Sequence, residues 1–79
     1  MAEIWNYETI KELLYALGLG HYFTYGLLAA RKINAVWEPV EFIHDVTTDY
    51  LLVKKMEELF NRYQLYPIHL RDAIEDMLP

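Results

Sequence analysis

The sequence predicts an all-α fold, a compact bundle of four or five short helices that form a single domain over residues 1–79. Apolar residues recur at spacings of three and four, as they do on the buried face of a helix. The period-two alternation that is typical of half-buried strands is not evident. Proline, glycine and capping residues also stand where such helices would begin and end.

The first predicted helix runs from Tyr7 to Leu17, with Asn6 as its N-cap. Its buried face would consist of four apolar residues at helical spacing, Ile10, Leu13, Leu14 and Leu17. The sequence Leu17-Gly18-Leu19-Gly20 reads as a helix stop, because Gly18 can adopt the left-handed conformation that often ends a helix.

The second predicted helix runs from about His21 to Lys32 and is apolar on nearly all sides, which is typical of a helix buried on several sides. Gly26 and Ala30 are four residues apart, so they would allow another backbone to approach closely. This helix could be a central core helix or an interface with another protein. The following segment, residues 33–37, is interpreted as a connector.

Three further helices complete the predicted bundle. The third begins at Glu38-Pro39, because proline is favoured at the first helical position, and it ends near Asp45. The fourth begins at Thr48 or Asp49 and ends at Tyr63, with a one-sided apolar stripe. The fifth extends from Pro67 to about Met77.

Residues 13–30 contain no Asp, Glu, Lys or Arg. A membrane-spanning helix needs about 20 mostly apolar residues, and the glycines at 18 and 20 divide this stretch into shorter pieces. We therefore expect no membrane span here, and we expect the stretch to be covered by protein, either its own chain or another.

The composition narrows the classes of function. The formal net charge is −5, and all of it lies in residues 38–79. An acidic half disfavours nucleic-acid binding, which needs Lys and Arg against phosphates, and it would suit a basic partner surface. The chain has no cysteine, so disulfides and thiolate metal sites are excluded and a cytoplasmic location is expected.

Tyrosine is the most unusual component, with seven in 79 residues. Its large apolar ring and polar hydroxyl are common at protein interfaces. The predicted function is a non-enzymatic protein–protein interaction domain, an adaptor, assembly factor or small inhibitor of a larger protein, expected to form a homo-oligomer such as a homodimer. The predicted contact residues are Tyr15, Tyr22, Tyr25, Gly26 and Trp37.

Two other functions remain open at this stage. Glu41 and His44 form a Glu-x-x-His pair that could bind metal together with His69 if their helices met. The third and fourth helices could form a helix-turn-helix DNA-binding regulator. No cofactor is expected, and catalysis is not expected because the chain lacks both serine and cysteine nucleophiles.

Three parts of the sequence resemble a sterile-alpha-motif domain: Trp5, ALGLGHY (16–22) and HLRDAIEDML (69–78). That family is a five-helix interaction module of similar length, so the resemblance implies a helical fold and a binding role. The likeness covers about a third of the chain. The middle departs from the family, because the fourth predicted helix is long where the family has a short one.

Overall fold

The computed structural model describes residues 4–79 and contains a three-stranded antiparallel sheet followed by two helices. The prediction of an all-α bundle is therefore wrong. The strands are β1 (Ile4–Ala16), β2 (Gly20–Ile33) and β3 (Val36–Thr47), joined in the order β1-β2-β3. The helices are α1 (Tyr50–Arg62) and α2 (Leu70–Met77), with a short 3-10 turn at Pro67–His69 between them.

The first two predicted helices are the two strands of one long hairpin. β1 pairs with β2 without a register shift from Ile4 opposite Lys32 to Ala16 opposite Gly20. Gly18 does adopt a left-handed conformation, with φ +87°, but the turn that it forms reverses a strand and does not end a helix. The aromatic and β-branched residues of this stretch favour the pleated surface of a sheet.

The predicted connector and third helix are the turn and strand that follow. Asn34 and Ala35 form a two-residue turn with φ values of +50° and +67°, as in the hairpin turns that match the twist of the strands. Pro39 lies in β3, next to a register shift on the outer strand of the sheet. An outer strand can contain proline because one row of its N–H groups has no partner strand.

The fourth predicted helix is present as α1. The Asp49 side chain caps it by accepting a hydrogen bond from the Leu52 N–H at 3.2 Å. The predicted apolar stripe is buried at Val53, Met56 and Phe60. The predicted fifth helix is divided into the 3-10 turn that Pro67 opens and α2.

Both helices pack on the same face of the sheet, where they enclose the core. Tyr7 is almost fully buried there, its hydroxyl donates to the Leu65 carbonyl, and its ring meets the Phe60 ring edge-on at 5.6 Å. Burial, together with the negative charge of Glu41, raises the pKa of Tyr7 to about 12. The core residues are Trp5, Tyr7, Leu27, Ala29, Val53, Met56, Phe60, Leu70 and Ile74.

This arrangement also overturns what the partial resemblance to a sterile-alpha-motif domain implied, because two of its three segments contribute to a sheet. The molecule is long and narrow, with extents of 50 × 24 × 18 Å. Within residues 4–79, neither helix has the length and apolar character needed to cross a membrane.

Candidate functional site

Helix α1 lies along the outer edge of β1 and hydrogen-bonds to its backbone. Glu57 Oε1 accepts from the Thr9 N–H at 2.7 Å, and Asn61 Oδ1 accepts from the Tyr7 N–H at 2.7 Å. Asn61 Nδ2 also donates to the Tyr7 carbonyl at 2.9 Å. One turn further along, Gln64 makes the same pair of bonds with the N–H and carbonyl of Trp5.

The spacing of these contacts follows from the two backbone geometries. Backbone groups that face the same edge recur every two residues of a strand, or about 6.8 Å. Residues on one side of a helix recur every three to four residues, or about 5–6 Å. Glu57 and Asn61 therefore meet consecutive outward positions of β1, and Gln64, in the turn after α1, meets the next one. Together they take the place of a fourth strand. We call the backbone of Trp5, Tyr7 and Thr9 the covered edge.

The remainder of the same strand edge has no such cover. Because β1 and β2 pair without a shift, the next outward backbone groups belong to Lys11, Leu13 and Tyr15. In the described part of the chain, no side chain hydrogen-bonds to these three N–H or carbonyl groups. We call the backbone of these three residues the open edge.

The end of the β1–β2 hairpin, residues 13–23, extends beyond both helices and is called the arm. β3 reaches only as far as Thr47, which pairs with Tyr25. Within residues 4–79, no residue from 10 to 24 belongs to the core or packs against it. The arm is nevertheless apolar, with large exposed fractions at Leu13 (57%), Tyr15 (62%), Leu17 (91%), Leu19 (77%) and Phe23 (57%).

These exposed residues occupy one face and the tip of the arm. Leu13 pairs with Phe23, and Tyr15 pairs with His21, so their side chains share the face on which the helices pack further along the sheet. Leu17 and Leu19 flank Gly18 in the turn, where the Leu19 N–H bonds to the Ala16 carbonyl at 3.1 Å. The arm therefore presents apolar side chains on one face and at its tip, with His21 beside the Tyr15 ring and the Lys11 ammonium over the Phe23 ring.

A polar cluster lies on the opposite face of the sheet, where β3 bulges away from β2. Glu12 accepts hydrogen bonds from the backbone N–H of Asp45 at 2.9 Å and contacts His44 Nδ1 at 2.6 Å. Asp45 in turn accepts from the Thr24 hydroxyl at 2.7 Å and the Tyr22 hydroxyl at 3.2 Å. Asp45 has φ +50°, so this network holds a bulge residue in a left-handed conformation.

The electrostatics of this cluster indicate a structural role. Burial raises the pKa of Glu12, but the hydrogen bonds from His44 and the Asp45 N–H outweigh burial, so the net pKa is lowered. The carboxylate is therefore fixed in its charged form between β1 and β3. Both of its oxygens already have partners, so it is poorly placed to act as a base or a metal ligand.

A shallow cavity of about 320 Å³ lies at the end of the sheet away from the arm. Trp5, Arg31, Val40 and residues 66–68 line it. Trp5 Nε1 and Arg31 Nε are buried without a hydrogen-bond partner among the described residues. Both nitrogens are covered from solvent, so a molecule in this cavity would not reach them without movement of the lining.

The structure brings together only some of the predicted contact residues. Tyr15 and Tyr25 share one face of the β1–β2 hairpin, and the Tyr25 ring meets the Tyr50 ring at 5.3 Å, at the margin of the core. Tyr22 lies on the opposite face, bonded to Asp45. Trp37 lies near the other end of the sheet and is 46% exposed, with Lys32 above its ring.

Gly26 permits a close approach, although the neighbour is a strand and not a helix. A Cβ atom there would lie 2.5 Å from Phe42 Cε1 and 2.7 Å from the Ile43 carbonyl oxygen. Phe42 covers the glycine and stacks on His44 with ring centroids 4.2 Å apart. Gly26 is buried, so it supports the sheet beneath a contact surface and is not itself presented to a partner.

The residues of the metal hypothesis point in different directions. Glu41 faces the helices, where Arg71 Nε lies 3.3 Å from it, whereas His44 lies on the opposite face with Glu12. His69 is exposed in the 3-10 turn. No group of three metal-ligating side chains is found among residues 4–79. The DNA-binding hypothesis also loses its premise, because residues 38–45 form a strand.

Sequence reasoning missed Leu13, Leu17, Leu19 and Phe23 as surface residues, because a helical interpretation assigned the first two to a buried face. The signal that could have found them is the uncharged stretch itself, divided at its centre by Gly18 and Gly20. A hairpin that is apolar on both faces shows no alternation, so period-two analysis does not detect it.

Comparison with known proteins places the chain in one family. Residues 2–79 match the model of a family of unknown function, DUF6514, and the chain belongs to it. No curated protein matches the sequence, and no solved structure matches the fold.

Proposed function

We propose that this member of the DUF6514 family is a non-enzymatic protein–protein interaction domain, and that the arm is its contact surface. The observation that carries the proposal is the exposure of five large apolar side chains on a hairpin that extends past its own core. Soluble monomers seldom expose contiguous apolar patches larger than roughly 300–600 Å², and larger ones are typical of interaction sites.

The energetics support a partner for this surface. Burial of one Leu or Phe side chain contributes about 1.5–3 kcal/mol. The arm gains only part of this by folding, because Leu13, Tyr15 and Phe23 stay more than half exposed within the chain. A protein that covered them would gain the remainder on binding. Backbone pairing of β1 with β2 also holds the arm in an ordered form, so little ordering is required on association.

The charge of the remaining chain is suited to the same role. The net negative charge lies in residues 38–79, which form β3, the helices and their connections. Complementary charge on a partner would increase the rate of association and favour one orientation. An adaptor, an assembly factor or a small inhibitor would each use an apolar arm with an acidic body in this way.

Site-specific photo-crosslinking in the native host tests the proposal. A photoreactive amino acid at Tyr15, which is 62% exposed, should give a defined protein adduct, either with another protein or with a second copy. The matched control is the same probe at Leu51, which is 79% exposed on α1. Equal adducts at both positions, or none at Tyr15, would contradict the assignment of the arm as the contact surface.

A further inference from the structure

We infer that the partner of the arm is a second copy of this chain, paired with the first along the open edge. This inference rests on the proposed function and specifies its partner. Two β1 strands would run antiparallel about a two-fold axis, and two three-stranded sheets would become one six-stranded sheet.

The backbone provides the first argument. The open edge presents the N–H and carbonyl groups of Lys11, Leu13 and Tyr15 in strand geometry. Proteins usually protect such edges with charges, prolines, bulges or a covering segment. This chain covers Trp5, Tyr7 and Thr9 with side chains of α1 and of the turn after it, yet β1 has no proline and no register shift at residues 11–16. Lys11 is the one charged residue of the open edge, and Leu13 and Tyr15 present large apolar side chains.

One register of the two β1 strands lets all three residues of the open edge pair in each copy. Pairing Leu13 with the partner's Leu13 places Lys11 opposite the partner's Tyr15, so all three outward residues of each copy bond. Moving the centre to Glu12 would oppose two carboxylates across the axis, and like charges at that position destabilise a sheet. Moving it to Lys11 would require the position that Glu57 occupies beside Thr9. Moving it to Leu14 would place Lys11 opposite Leu17 in the turn and lose one of the three bonded pairs.

In the same register, the covered edge of one copy begins where β1 of the other copy ends. Opposite Thr9, the first position that α1 covers, the partner strand has reached Leu17, where its turn begins. The pairing therefore ends, on both sides, where the bond between Glu57 and Thr9 begins the covered edge. It also brings the turn of each copy abreast of the partner's α1, which gives the most exposed apolar residue of the arm, Leu17, a neighbour.

The side chains are compatible with this pairing. A two-fold axis perpendicular to the sheet keeps both helix layers on one face. On that face Leu13 meets the partner's Leu13. Lys11 stands opposite the partner's Tyr15, while its ammonium lies over the Phe23 ring of its own chain, 4.2 Å from the ring centroid. On the opposite face Glu12 has Leu14 as its neighbour across the edge. No like charges oppose each other.

Cysteine crosslinking tests the register, because the natural chain has no cysteine. At Leu13 the two Cα atoms would lie about 5.5 Å apart, within the range of about 4.4–6.8 Å that a disulfide bridges. Phe23 is the matched control, since it pairs with Leu13 and has the same 57% exposure. Across three strand spacings its two copies would lie about 14 Å apart.

Leu13→Cys should therefore form a covalent dimer under mild oxidation, and Phe23→Cys should not. Light scattering should show a dimer of the natural chain, and Leu13→Lys should weaken its association by at least about tenfold, since two ammonium groups would face each other. A monomer at all concentrations, or crosslinking at Phe23 as efficient as at Leu13, overturns edge pairing. Disulfide formation at Phe23 would leave the arm as a contact surface, whereas photo-crosslinking at Tyr15 and Leu51 tests the proposed function independently.

Discussion

The two halves of β1 have the same strand geometry and opposite surroundings. From Trp5 to Thr9 the outward backbone bonds to side chains of α1 and of Gln64 just after it, and the Trp5 and Tyr7 side chains enter the core. From Lys11 to Tyr15 the outward backbone has no such partner among the described residues, and Leu13 and Tyr15 are more than half exposed. The β1 edge is thus covered only where Glu57, Asn61 and Gln64 reach it.

The difference shows how a helix can replace a strand at a sheet edge. A neighbouring strand supplies backbone groups along its whole length, whereas here three side chains take that role, from Glu57 and Asn61 of α1 and from Gln64 in the turn after it. The first turns of α1 do not extend this cover, because at its start the Tyr50 ring packs on Tyr25 of β2. Where the covering ends, a partner strand has room to bind.

The largest expected difference between the covered half of the hairpin and the arm is the loss of stability when an apolar side chain is truncated. Leu27→Ala should lower the free energy of unfolding by about 2–5 kcal/mol, because Leu27 is fully buried beneath the covered half. Leu19→Ala removes the same atoms from a side chain that is 77% exposed in the arm, and should change stability by less than about 0.5 kcal/mol. Urea titration below the concentration of association measures both, and equal losses would mean that the arm is part of the core.

Substitution of a side chain that bonds to the covered edge should cause the next largest loss of stability. Asn61→Ala leaves the N–H and carbonyl of Tyr7 without their partner, so stability should fall by about 1–3 kcal/mol. Arg62→Ala, which removes only an exposed pair with Glu58, should cost less than about 1 kcal/mol. If the two variants were equally stable in thermal unfolding, the Asn61 bonds would not be what covers the edge.

Proline substitution compares the two edges directly. Thr9→Pro deletes an N–H that donates to Glu57, and Leu13→Pro deletes an N–H on the open edge. Both impose the same restriction on φ, so Thr9→Pro should be less stable than Leu13→Pro by about 1–2 kcal/mol. Denaturant midpoints of the two monomers test this, and a more damaging Leu13→Pro would contradict the assignment of the outward amides.

The change with pH in the stability that Glu57 contributes should be the smallest of these effects. Partial burial raises the pKa of Glu57, but hydrogen bonds from Lys54 and the Thr9 N–H outweigh it and hold the pKa below its usual 4.5. A lowered carboxyl pKa stabilises the fold above the unfolded pKa, and this contribution is lost as pH falls through the folded pKa.

The stability difference between the natural chain and Glu57→Gln should therefore be constant above pH 4.5 and shrink below it. Glu58→Gln is the control, because that side chain is 66% exposed and makes no contact with β1 among the described bonds. A difference between the natural chain and Glu57→Gln that did not vary between pH 7 and pH 3 would show that the charge of Glu57 does not contribute to covering the edge.

The helical third of the fold was predictable because its signals are local. Asp49 is a capping residue before a one-sided apolar stripe, and Pro67 opens the final segment. The sheet was not predictable in the same way. Its second turn contains Ala35 at φ +67°, where glycine is the residue expected in such a turn, so the strongest hairpin signal is missing.

The sequence indicated the region of the candidate site but not which side chains share its surface. The uncharged stretch drew attention to residues 13–30, and the structure places Tyr15 on the exposed face of the arm. Which other residues join it depends on strand register, since a shift of one position moves every side chain to the opposite face. Helical spacing gives no information about strand register, so it could not show that Gly26 and Trp37 lie apart from Tyr15.

Amide hydrogen exchange at Leu13 and Tyr15, measured against protein concentration, tests the pairing of the open edge most directly. Tyr7 and Thr9 provide internal references, because α1 bonds to their amides in every state of the folded chain. We predict that Leu13 and Tyr15 exchange rapidly in dilute solution and become as protected as Thr9 when the chain associates. Rapid exchange at Leu13 and Tyr15 at every concentration would contradict the account.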